Sequence, residues 1–201
     1  METLNWIYIL YLFVGIPAAI NLFIIARKDN SLSILMFGIA LVVFLAGVGI
    51  DYAFENTLIA REWGNLIAIT TTLSGLFIEI RDSKPVFARF PMYLTFLPFL
   101  TIIFYPLVIE SDAIKNLLQL IYQGGAILVA ILVISINHFL HKQRGFLVAA
   151  SIIFLGAYIS FWFLDEITVI SGKEIGKIIF AFGIIVAIIG FKKNSESLTS
   201  Q

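Results

Sequence analysis

The stretch that decides the fold lies near the carboxyl end of the chain, at Lys173–Lys193, KEIGKIIFAFGIIVAIIGFKK. It begins with mixed charge, continues as an apolar run and ends at a lysine pair. A second stretch, Arg61–Asp82, REWGNLIAITTTLSGLFIEIRD, has the same layout, and without gaps Glu62 aligns with Glu174. Each run approaches the about 20 apolar residues that a helix needs to cross a bilayer. We interpret the two stretches as the third helices of two related halves.

The composition is that of a membrane protein. Of the 201 residues, 60% are hydrophobic and 13% are charged, with a mean hydropathy of +1.01, whereas a soluble domain is about half apolar and a quarter charged. We predict an all-α bundle of seven transmembrane helices in one domain over residues 1–193, with a polar cytoplasmic tail at 194–201. The spans are expected at about residues 6–26, 31–50, 63–78, 90–109, 116–137, 145–164 and 175–191.

The charged loops predict the orientation of the bundle. Basic residues are concentrated in the first, third and fifth loops and after span seven, and most acidic residues lie in the other loops. Loops rich in Lys and Arg stay in the cytoplasm. We therefore expect the N-terminus outside and the C-terminus inside, in a bacterial cytoplasmic (inner) membrane. Trp6, Trp63 and Trp162 fall at outer ends of spans, where indoles prefer the interface.

The two related stretches predict an internal repeat, in which spans one to three and five to seven form parallel halves around span four. A duplication and a chance alignment of apolar segments are both open explanations. Repeat interfaces often hold the binding site of a membrane protein. Span four contains three of the five prolines, Pro91, Pro98 and Pro106, and proline bends a helix. We expect a kinked linker helix there, with a moving hinge as the alternative.

Lys177 is the strongest single candidate for a functional residue in the sequence. It either snorkels to the outer interface beside Glu174 or is buried, where an ammonium needs a partner or a function. The stretch KIIFAFGII that it opens resembles the last helix of microbial rhodopsins, and the predicted topology resembles that of opsin-like and SWEET-like proteins. The rhodopsin resemblance implies retinal held on Lys177 as a Schiff base, which a visible absorbance lost in Lys177→Ala would establish. Lys173, however, stands where that family usually has an acid.

Neutral polar residues mark the candidate binding site. Span three contains Asn65 and the hydroxyl residues of 70–74, and span five contains amides at helical spacing. Such groups either bond across helices or line a neutral pocket between spans three, five and seven, open to the outside. That pocket would suit an uncharged or amphipathic small molecule. The predicted ligand-binding residues are Asn65, Thr71, Gln119, Gln123, Tyr158 and Lys177.

The remaining motifs exclude several function classes. No acid, base and nucleophile share one membrane layer, so we expect no enzymatic activity. His138 and His141 lack a third ligand, so no metal site is predicted. We expect a transporter or receptor that binds a small molecule between its halves. An accessory or assembly subunit of a larger membrane complex and a retinal protein are the alternatives. The expected partners are the lipid bilayer and other membrane proteins, or further copies of the chain, and not nucleic acid.

Overall fold

The computed structural model describes residues 3–54, 58–83, 86–107, 178–179, 181–186 and 189, and the regular structure of these residues is helical. Three long helices come first: α1 at Thr3–Lys28, α2 at Leu32–Ala53 and α3 at Leu58–Ser83. A fourth segment follows, in which the short helix α4 at Leu100–Phe104 is flanked by 3-10 helices at Phe87–Arg89, Met92–Phe99 and Tyr105–Leu107. Predicted spans five and six lie outside the described residues.

The first three helices are long and apolar enough to cross a membrane. The qualifying stretches are Ile9–Lys28, Leu32–Ile50 and Trp63–Asp82. This confirms the prediction of long apolar helices for spans one to three and indicates an integral membrane protein. Helix α3 begins at Leu58, five residues ahead of the apolar stretch Trp63–Asp82.

Helix α1 has one buried and one exposed side, and both are apolar. The buried side includes Tyr11, Ala18, Leu22 and Ile25. The exposed side consists of large side chains three or four residues apart, Ile9, Phe13, Ile16, Ile20 and Ile24. A soluble helix would carry polar residues at those exposed positions. A continuous apolar stripe of this kind is suited to contact with lipid.

Helix α2 lies between its neighbours and packs against both α1 and α3. Its buried Leu41, Leu45 and Val48 join the buried side of α1 in one hydrophobic cluster. Ala181 and Ile184 belong to the same cluster. The described part of predicted span seven therefore packs against the first half of the chain.

Glycine brings α2 and α3 into close contact. A Cβ atom on Gly64 would lie 2.9 Å from the Cα of Gly47 and 3.5 Å from the carbonyl oxygen of Val43. Nearer the other end of α3, a Cβ atom on Gly75 would lie 2.9 Å from the ring of Phe37. Later residues of α3 thus meet earlier residues of α2, which makes the pair antiparallel. The absence of a side chain at Gly64 allows the backbones to approach.

A tight connection joins α1 to α2. Asn30 adopts the left-handed conformation, with φ of 47°, and the Ser31 N–H donates to the carbonyl oxygen of Ala26 at 3.0 Å. This is the pattern of a Schellman C-cap. The Ser31 hydroxyl also accepts a 3.4 Å bond from the N–H of Ile34 and so caps α2. One short turn therefore ends one helix and begins the next.

The fourth segment differs from the kinked α-helix expected there. Met92–Phe99 forms a 3-10 helix of eight residues, with Pro91 immediately before it and Pro98 inside it. Proline has no N–H, so an α-helix through Pro98 would lose one backbone bond and meet a clash one turn earlier. The segment packs along α3, which makes α3 the helix shared by α2 and the fourth segment.

Candidate functional site on the third helix

One side of α3 faces the fourth segment along its length. The ring of Trp63 meets that of Tyr105 edge to face, with centroids 5.2 Å apart. At the other end of α3, the Arg81 Nε donates to the carbonyl oxygen of Phe90 at 3.1 Å. Trp63 and Arg81 are 18 residues apart, about five helical turns, and therefore lie on the same line along the helix.

Two hydroxyls lie on this line in the middle of α3. Thr70 and Ser74 are each within about 20° of the direction shared by Trp63 and Arg81, and both are 0% exposed. The Thr70 hydroxyl donates to the carbonyl oxygen of Ile67 at 2.9 Å. Within the part of the chain that the structure describes, the Ser74 hydroxyl has no hydrogen-bond partner. A buried hydroxyl without a partner is costly, so Ser74 requires a physical explanation.

A polar network joins one end of α3 to α2. The Ser33 hydroxyl donates to Glu79 Oε2 at 2.9 Å, and the Ser31 and Ser33 hydroxyl oxygens are 3.0 Å apart. Ser33 is only 3% exposed. The Glu79 carboxylate thus lies at the N-terminus of α2, where the helix dipole favours negative charge. This network joins the end of α3 to the start of α2.

The third side of α3 also carries polar groups. Asn65 and Thr72 are seven residues apart, almost two full turns, and share this side about opposite the fourth segment. Both are half-buried. The Thr72 hydroxyl donates to the carbonyl oxygen of Ala68 at 2.8 Å, which leaves its lone pairs available as acceptors. An amide and a hydroxyl in this arrangement can bond an uncharged group.

The structure describes two of the six predicted ligand-binding residues. Asn65 lies on the third side just discussed, whereas Thr71 is buried and donates to the carbonyl oxygen of Ile67 at 2.7 Å. The two side chains point about 120° apart around α3. The others lie outside the described residues: Gln119, Gln123, Tyr158 and Lys177. Their contribution to a site stays a prediction, and His138 and His141 also fall outside.

Some polar contacts were missing from the predicted site. Ser33 and Glu79 are not among the predicted site residues, and neither is Ser74, which faces the fourth segment. The spacing of Trp63, Thr70, Ser74 and Arg81 is a helical signal that could have grouped them. The pairing of Ser33 with Glu79 has no such signal, because it joins positions 46 residues apart. Among the described residues, no three His, Cys, Asp or Glu side chains are grouped to hold a metal ion.

Comparisons of the chain with known protein families, with curated proteins and with solved structures found no match. The resemblance of KIIFAFGII to the last helix of microbial rhodopsins therefore depends on those residues alone. The function has to be argued from the chemistry of the helices.

Proposed function

We propose that the chain is a seven-span integral membrane protein, with its N-terminus outside and its C-terminus inside. It is of transporter or receptor type and binds a neutral or amphipathic small molecule between its two three-helix halves. The observation that carries the proposal is the third side of α3, where Asn65 and Thr72 are half-buried and share one direction. The fourth segment and the glycine contacts with α2 occupy other sides of this helix, and Glu79, seven residues after Thr72, bonds Ser33 of α2 at one end of the third side.

The chemistry of that side favours an uncharged ligand. Asn65 offers two amide donors and a carbonyl acceptor, and Thr72 offers acceptor lone pairs. The carboxylates of the α3 sequence, at Glu62, Glu79 and Asp82, are all near its ends. A ligand beside Asn65 and Thr72 would therefore meet hydrogen-bonding groups within an apolar wall, which is the usual make-up of a small-molecule site.

The packing of residues 181–186 supports a site between two halves. Ala181 and Ile184 are buried in the cluster formed by α1 and α2, so the second half of the chain reaches the first half at that point. In the proposed layout, spans five and seven complete the pocket along the third side of α3. Gln119, Gln123, Tyr158 and Lys177 are the residues proposed to line it from those neighbours and from span six.

Ligand-dependent thermal stabilisation tests the proposal. Purified protein in mild detergent would be screened with uncharged and amphipathic small molecules, retinal among them. We expect at least one to raise the unfolding midpoint, because a ligand at 100 times its Kd adds about 2.7 kcal/mol to the stability. Asn65→Leu should abolish this shift. Gly49→Ala is the matched control and should retain it, since a Cβ atom there has no atom within 4 Å.

The opposite result would favour the second candidate function, an accessory or assembly subunit of a larger membrane complex. If no compound stabilises the protein while a membrane protein co-purifies with it in fixed stoichiometry, the chain is an accessory subunit instead. The exposed apolar stripe of α1, from Ile9 to Ile24, would then be a surface for that partner as well as for lipid.

A further inference from the structure

The fourth segment has an unusual backbone for the membrane span that the sequence predicts there. Its 3-10 helix, Met92–Phe99, contains eight residues, whereas runs longer than about three to four residues are uncommon because their hydrogen-bond geometry is poorer. Two threonine hydroxyls bond backbone carbonyls three residues earlier. The Thr95 hydroxyl donates to the carbonyl oxygen of Met92 at 2.6 Å, and the Thr101 hydroxyl donates to the carbonyl oxygen of Pro98 at 2.6 Å.

Pro98 leaves a different carbonyl without its helical donor in each helix type. In a 3-10 helix the N–H of residue 98 would bond the carbonyl of Thr95, and in an α-helix it would bond that of Leu94. Proline supplies no N–H in either case. Inside a membrane, a carbonyl freed in this way is satisfied by a neighbouring helix, by a serine or threonine side chain, by an ordered water or by a local change of helix type.

Ser74 is placed to be that donor. It lies on the side of α3 that faces the fourth segment, as the contacts of Trp63 and Arg81 show. From Arg81 to Ser74 the helix rises about 10.5 Å, and the same distance along a 3-10 helix from Phe90 covers about five residues. Ser74 is therefore level with residues 94–95.

We propose that the fourth segment is a two-state helix and that Ser74 is the donor for its second state. In the 3-10 state, the Ser74 hydroxyl is buried and has no hydrogen-bond partner among the described residues. In the other state, Met92–Phe99 is α-helical and the Ser74 hydroxyl donates to the carbonyl oxygen of Leu94, which Pro98 leaves open. Conversion shortens the eight residues by about 4 Å, because the rise per residue falls from about 2.0 to about 1.5 Å.

The two-state helix makes the fourth segment a moving part of the protein, with or without a bound ligand. The segment contacts α3 near both of its ends, through Phe90 and Tyr105. A change in length therefore has to slide at least one of these contacts. Packed elements move between discrete arrangements of this kind and do not stretch continuously.

A distance measurement tests the inference directly. The chain has no cysteine, so Val86→Cys and Ile103→Cys can carry spin labels on either side of the 3-10 helix. Both residues are exposed. In lipid vesicles, we expect pulsed electron paramagnetic resonance to show two distances that differ by about 4 Å. Ser74→Ala should leave only the longer distance, since the α-helical state loses its donor. Pro98→Ala should leave only the shorter one, since alanine supplies the missing N–H.

Thr72→Val is the matched control, because it removes a hydroxyl from the opposite side of α3, and it should retain both distances. The combination of Ser74→Ala with Pro98→Ala should behave as Pro98→Ala does. A single distance in the unsubstituted protein that neither substitution alters would overturn the inference. If Pro98→Ala fails to fold, Ser74→Ala decides alone: loss of the shorter distance supports the two-state helix, and its retention overturns it.

Discussion

Gly64→Ala is expected to lower the stability of the protein by about 1–3 kcal/mol, the usual cost of overpacking a close contact. The new Cβ atom would lie 2.9 Å from the Cα of Gly47, which is backbone and cannot rotate away as a side chain can. Helices α2 and α3 would have to separate at the point where they approach most closely. Denaturant titration of the purified protein in detergent measures the change in the free energy of unfolding.

Gly49→Ala is the matched control for this substitution. A Cβ atom at Gly49 would have no atom within 4 Å, and alanine is favoured over glycine in a helix by about 1 kcal/mol. We expect Gly49→Ala to leave the stability unchanged or to raise it. Equal destabilisation by the two substitutions would show that the backbone contact between Gly47 and Gly64 is not what holds α2 against α3.

The hydrogen bond between Ser33 and Glu79 should be worth about 1.5–3 kcal/mol, as is usual for a bond to a charged group. A double-mutant cycle of Ser33→Ala and Glu79→Ala isolates this energy from the other contacts of each side chain. The matched cycle combines Ser33→Ala with Asp82→Ala, since Asp82 pairs with Arg81 at 3.1 Å and is exposed. That second cycle should show no coupling.

Two findings would contradict this account of the network. The first is additive behaviour of Ser33→Ala and Glu79→Ala, which would mean that the 2.9 Å contact contributes nothing. The second comes from a cycle that combines Ser33→Ala with Glu79→Gln. A coupling energy as large as that of the cycle with Glu79→Ala would contradict this account. Glutamine keeps an acceptor but not the charge, so part of the bond energy should survive and the measured coupling should fall.

The long helices could be predicted from the sequence because their signal is local. A run of about 20 apolar residues has to be a helix in a membrane, whatever surrounds it. This reasoning located α1, α2 and the apolar part of α3. It could not show that α3 begins at Leu58, because the charged Arg61 and Glu62 interrupt the apolar pattern there.

The pairing of helices could not be predicted in the same way. Both sides of α1 are apolar, so the pattern does not distinguish the exposed Phe13 from the buried Leu22. The contact of Gly64 with Gly47 depends on the rotation of two helices, which hydropathy leaves open. The prolines signalled an irregular fourth segment, but a kink and a 3-10 helix both follow from the same three residues.

For the candidate site, the sequence predicts which polar residues a span contains but not which directions they face. The sequence identifies the hydroxyls at positions 70–74 as polar residues of span three, yet they face different directions around the helix. Thr70 and Ser74 face the fourth segment, whereas Thr72 shares a side with Asn65. A list of polar residues in a span therefore becomes a site only when the neighbours of each side are known.

These helices are proposed to cross a membrane in alternating directions, and cysteine accessibility tests this central proposal most directly. Phe54, after α2, and Val86, after α3, are 69% and 70% exposed, and no native cysteine interferes. In intact cells, a membrane-impermeant thiol reagent should label Phe54→Cys, and it should label Val86→Cys only after the membrane is opened. Labelling of both positions from the same side would contradict a membrane crossing by α3.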